Sequence, residues 1–116
     1  MQEFKPFTVE RPWGNFRQYT KNENTTVKIH SLKPNSSMSL QYHNYRDEFW
    51  RIISGHPLLT VGENKINANP GDEFMVLRLE KHRIETQNDA VQLLEICYGD
   101  FNEEDIVRLE DKYGRA

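Results

Sequence analysis

A chain of 116 residues that sets 15 Lys and Arg against 18 Asp and Glu carries a formal net charge of −3. It has no basic block, which argues against nucleic acid or an anionic membrane as partner. The length suits one domain, residues 1–116, with its own core, and the lone Cys97 excludes an internal disulfide.

The opening residues lack an apolar signal core and no long apolar span follows, so a cytoplasmic protein is expected. Residues 1–15 are punctuated by Pro6, Pro12 and Gly14 and read as an extended arm with a turn, Trp13 packing rather than binding. Phe16 to Tyr19 alternates. Thr26 to Leu32 alternates again and is rich in β-branched residues. His30 shares a face with Lys28 there and reads as a surface or rim histidine. Lys33 to Ser37 is a turn in which Asn35 tolerates a left-handed backbone.

Ser39 to Gly55 carries the most chemistry. Gln41, His43 and Tyr45 alternate and would share one face of a strand. Glu48 follows after an odd step, so a bend or bulge is needed to return it to that face. Phe49, Trp50, Ile52 and Ile53 then form an apolar strand ending at Gly55. Imidazole, carboxylate and amide on one face suit either a metal site or a polar pocket for a small hydroxylated ligand.

Leu58–Val61 and Lys65–Asn67 read as a hairpin around Gly62. Asn69 to Asp72 is a tight turn before Glu73–Leu77, and His82–Glu85 and Val91–Tyr98 are further strands. Cys97 lies in the last of these and reads as a small buried residue, not a nucleophile. Asn102 can cap the acidic turn Glu103–Asp105, which predicts a short C-terminal helix. Turns every eight to twelve residues, with no helical period elsewhere, predict an antiparallel sandwich or barrel.

Four segments resemble the isomerase domain of type II phosphomannose isomerases, also found at the C-terminus of bifunctional mannose-1-phosphate guanylyltransferase/mannose-6-phosphate isomerases. They are Arg11 to Gly14; Lys33-Pro34 with Gln41, His43, Arg46, Glu48, Trp50 and Ser54-Gly55; His82, Arg83 and Glu85; and Asp105 to Arg115. The resemblance implies an all-β cupin, a double-stranded β-helix or jelly-roll barrel. It also implies a metal inside the barrel and aldose–ketose isomerisation of a sugar phosphate in polysaccharide biosynthesis. Gln41, His43, Glu48 and His82 are then the expected ligands of one divalent transition metal, Zn, Mn or Fe. Arg46, Tyr45 and Glu48 are the catalytic candidates, and Arg46, Lys81 and Arg83 the groups for phosphate.

The chain also departs from the family pattern. Tyr45 stands where the family has a second histidine, as a weak ligand, a hydrogen-bond donor to sugar, or a plug. Phe49 replaces a histidine, Asn35 a glycine, and Leu77 and Leu79 a proline and a glycine. These departures imply a pocket more apolar and poorer in nitrogen than the family's. Two readings follow: a metal-dependent isomerase acting on a sugar phosphate or nucleotide sugar, or a cupin that binds a sugar or partner protein without catalysis. The resemblance also implies a homodimer, by pairing of edge strands or exchange of the N-terminal arm, and the exposed edge strands of such a barrel give a physical reason for it.

Overall fold

The structure is a computed structural model that describes residues 5–116. Residues 1–4 of the expected arm lie outside that range. Eleven strands form among the described residues: β1 Phe7–Arg11, β2 Gly14–Gln18, β3 Thr25–Leu32, β4 Leu40–Tyr42, β5 Glu48–Ser54, β6 Leu58–Val61, β7 Asn64–Asn67, β8 Glu73–Val76, β9 His82–Glu85, β10 Val91–Tyr98 and β11 Val107–Glu110. They pair antiparallel throughout. One sheet runs β3-β10-β5-β8, a second runs β11-β4-β9-β6-β7, and β1-β2 is a separate hairpin. This is the expected all-β cupin sandwich.

The interior follows from strand alternation. Trp50 and Ile52 on β5, Ile84 on β9, and Val91 and Leu93 on β10 are buried with Leu59, Ala68 and Val76 in one apolar cluster. Each buried Val, Leu or Ile side chain among them contributes roughly 1.5–3 kcal/mol of transfer free energy. The same strands continue into a polar end. Glu48 opens β5, His82 opens β9, and Glu95 and Cys97 follow Leu93 at alternate positions, all buried.

Gly55 closes β5 at φ +86°, where an added Cβ would clash with the Ala90 carbonyl oxygen. Asn35 sits at φ 54° and Leu79 at φ 67°. The first suits its residue; the second is a position a glycine fills without steric cost.

Two expectations are corrected. The tail forms no helix. Asn102 does cap a turn, its Oδ1 accepting the Glu104 amide at 2.9 Å, but the chain then pairs with β4, Val107 opposite Tyr42 and Arg108 opposite Gln41. A segment of one or two turns gains little as a helix, and β-branched Ile106 and Val107 favour the open sheet edge. The arm is a hairpin turned at Pro12 and Trp13, and Trp13 is 73% exposed rather than packed. Glu73 tethers this hairpin to the four-stranded sheet. It accepts from Arg17 Nε at 2.9 Å and from Arg51 Nη1 at 2.7 Å.

Candidate metal centre and its cavity

Strand β4 ends at Tyr42, so His43 is the first residue of a short turn. Asp105 shapes that turn from the tail. Its carboxylate accepts the Asn44 and Tyr45 amides at 2.8 and 3.1 Å. Glu48 then enters β5 facing inward, and His82 faces inward from β9, directly opposite Gln41. The bend expected between Tyr45 and Glu48 is this turn.

His43, Glu48 and His82 bring one donor atom each to within 4.8 Å of one another, all three residues being buried. The Nε2 atoms of the two histidines are 3.2 Å apart. Glu48 Oε2 lies 3.1 Å from His43 Nε2. The partners assign the tautomers. His43 Nδ1 meets the Asp105 carbonyl at 2.5 Å and His82 Nδ1 meets the Glu80 carbonyl at 2.9 Å. A carbonyl only accepts, so both Nδ1 atoms carry hydrogen, and each Nε2 faces the centre. Backbone carbonyls orienting the far nitrogen are what histidine metal ligands require.

Glu48 is held as firmly. Trp50 Nε1 donates to its Oε1 at 3.0 Å and Arg46 Nε to its Oε2 at 3.0 Å. Burial alone would raise this carboxyl, but the contacts with His43 and His82 outweigh it and keep the group below the ordinary carboxylate range. Burial lowers the His82 pKa, which favours the neutral ring. Two imidazole nitrogens and one carboxylate oxygen fit Zn, Mn or Fe with positions left for other ligands. Cys97 lies 3.4 Å from a Glu95 oxygen, and burial raises its thiol pKa, so it stays protonated.

Arg46 joins this centre to a cavity of about 160 Å³. Its Nη2 donates to His43 Nε2 at 3.2 Å, its Nη1 to the Asn102 carbonyl at 3.2 Å, and its guanidinium lies 4.6 Å over the Phe101 ring. Lys28, His30, Gln41, Glu95 and Arg108 line the same cavity. Gln41 Oε1 accepts from Ser39 Oγ at 2.8 Å. His30 Nε2 is 3.2 Å from Glu95 Oε1. Arg108 Nε is buried and has no hydrogen-bond partner among the described residues.

The other candidates from the sequence lie elsewhere. Tyr45 is 78% exposed, because the strand that would have turned it inward stops three residues earlier. Lys81 and Arg83 flank inward-facing His82 and so point to the opposite side of β9. Lys81 is exposed, and Arg83 bonds the Met38 carbonyl and pairs with Glu110. The expected apolar pocket is also corrected. Phe49 packs with Ile96 and Tyr98 on the sheet's other face, and Leu77 and Leu79 are exposed.

His30, Glu95 and Arg108 were the residues that sequence reading missed. Lys28 and His30 gave a signal, since they alternate with apolar Val27 and Ile29. In this sheet the polar side of β3 faces the cavity and the apolar side faces out.

A family model described as mannose-6-phosphate isomerase C-terminal matches residues 2–111. The xanthan biosynthesis protein XanB of Xanthomonas campestris is 33% identical over 110 residues, covering 93% of this chain and 24% of the relative. A mannose-1-phosphate guanylyltransferase of Salmonella montevideo is 36% identical over 110 residues, covering 92% of this chain and 23% of the relative. The chain thus spans about a quarter of these curated relatives. Among solved structures, the capsular polysaccharide assembling protein CapF of Staphylococcus aureus superposes with a TM-score of 0.68 at 13% identity, over 93% of this chain and 33% of that one; it speaks for the fold alone. With the donor cluster inside a cupin sandwich and the family match over nearly all its length, the chain belongs to the mannose-6-phosphate isomerase C-terminal family.

Proposed function

We propose that this chain interconverts an aldose and a ketose sugar phosphate, mannose 6-phosphate and fructose 6-phosphate, with a divalent transition metal held by His43, Glu48 and His82. One observation carries the reading: three buried donors converge beside a cavity lined by the cations Lys28, Arg46, Arg108 and Arg115. When bound, the ion would supply Lewis-acid polarisation of substrate oxygens.

The chain's own residues supply the remaining steps. Arg108, with its unpartnered buried Nε, and Lys28 suit the phosphate. Gln41 suits a sugar hydroxyl. His30 suits proton transfer, its buried Nε2 lying 3.2 Å from Glu95 Oε1 and making no hydrogen bond among the described residues: it removes the proton from the carbon beside the carbonyl and returns it to the former carbonyl carbon, while the hydroxyl proton passes from one substrate oxygen to the other. Arg46 suits the negative charge that develops on the substrate oxygens between those transfers. These roles replace the phosphate groups and catalytic Tyr45 expected from sequence.

The test is turnover. Protein loaded in turn with Zn²⁺, Mn²⁺ and Fe²⁺ is assayed for isomerisation in deuterated water. The expected result is turnover with solvent deuterium in the product, abolished in His30→Asn. No turnover with any metal sinks the reading.

A second reading is favoured by Arg46, whose guanidinium already bonds two of the three metal donors. In that reading the charge pair is a permanent plug and the protein binds sugar without catalysis. Protein that takes up no metal even in excess would select it.

A further inference from the structure

A second cavity, of about 310 Å³, lies away from the donor cluster and is lined by Glu23, Tyr45, Asp47, Arg78 and Tyr98 among others. Asp47 precedes Glu48, and Tyr98 packs on the face of the sheet that carries Phe49, opposite the metal donors. The two cavities therefore occupy different sides of the same strands.

Three buried polar atoms here have no hydrogen-bond partner among the described residues: Asp47 Oδ2, Arg78 Nε and the Tyr98 hydroxyl. Asp47 is 2% and Tyr98 4% exposed. The other Asp47 oxygen accepts the Arg78 amide at 2.7 Å, while Arg78 Nε stands 3.7 Å from it, beyond hydrogen-bond reach. Leaving buried polar groups unsatisfied is unfavourable. Three in one cavity point to a ligand that completes them.

The chemistry selects the ligand. Carboxylates of Asp47 and Glu23 repel a phosphate. The Arg78 guanidinium repels an ammonium. An apolar molecule satisfies none of the three atoms. Hydroxyls on neighbouring carbons can donate to a carboxylate and accept from a guanidinium together. The exposed Tyr45 ring offers a flat face for the C–H side of a pyranose. We propose that this cavity binds a neutral, unphosphorylated hexopyranose unit, at a site separate from the cationic one where a sugar phosphate would react.

The test uses the full, isotope-labelled chain without added metal. Methyl α-D-mannopyranoside is titrated while backbone amide signals are followed. Shifts at Tyr45, Asp47, Arg78 and Gly99, with Gln41 and Arg108 unmoved, are expected. Tyr98→Phe removes the unpartnered hydroxyl, so it should raise the melting temperature yet weaken binding about tenfold. The proposal is overturned if no amide near the cavity moves at tens of millimolar sugar, if glycerol produces the same shifts, or if Tyr98→Phe binds as the natural protein does.

Discussion

The Nε2 atoms of His43 and His82 face one another at 3.2 Å, and a backbone carbonyl holds the far nitrogen of each ring. Two imidazole nitrogens and a carboxylate oxygen at this spacing are the ligand set of the proposed metal site. His43→Ala or His82→Ala should therefore lower bound metal from about one ion per chain to none at equimolar supply. Tyr45→Ala should leave the content unchanged. Elemental analysis of protein purified without chelator decides it, and full occupancy in both histidine variants would refute the site.

Arg46 bonds His43 Nε2 and Glu48 Oε2, so at the proposed site it would compete with a metal for both atoms. Truncating it removes a buried charge from its partners, which costs about 3–5 kcal/mol in the metal-free protein. Arg46→Ala should melt earlier without metal, bind metal about tenfold more tightly, and lose turnover. Calorimetric titration beside thermal melts separates these effects. Weaker metal binding in the variant would make Arg46 a support for the site, not a competitor.

The fold was legible because turns punctuate the chain where the strands end. Gly62 closes β6 onto β7, and Asn35 adopts the left-handed backbone its side chain tolerates. The site was legible only in part. Local alternation carried Gln41 and His43 inward correctly, but extended the strand through Tyr45. What ends it is Asp105, sixty residues on, which no local pattern contains. The tail misled for the same reason: its cap is local, but its pairing with β4 is not. Of the family departures, Tyr45, Phe49, Leu77 and Leu79 fall outside the donor cluster, so they change the surface and outer packing rather than the ligands.

Leu79 records one such change as strain. It holds φ 67° while 61% exposed, and its amide donates to the His43 carbonyl at 2.7 Å. Leu79→Gly keeps that bond, relieves the steric cost and forfeits little burial. The unfolded chain gains freedom in return, leaving a net stabilisation of about 0.5–1 kcal/mol. Gly55→Ala should do the reverse, losing at least about 2 kcal/mol, because its Cβ would meet the Ala90 carbonyl. Denaturant melts of the two variants check both signs.

Glu73 links pH to the hairpin. Burial alone would raise its carboxyl, but hydrogen bonds from Arg17 and Arg51 outweigh that and lower it below the ordinary value. A depressed carboxyl stabilises the fold above its unfolded pKa and loses that contribution as pH falls through the folded one. The window therefore lies below roughly pH 4. The link is worth roughly 1 kcal/mol, since Arg17 and Arg51 are about one-third exposed. On acidification, amides of β1 and β2 should exchange faster before those of β5 and β10 do. Glu73→Gln should bring the same selective exchange at neutral pH. Equal protection of the hairpin in acid and at neutrality would mean that contacts other than this ion pair hold it against the sheet.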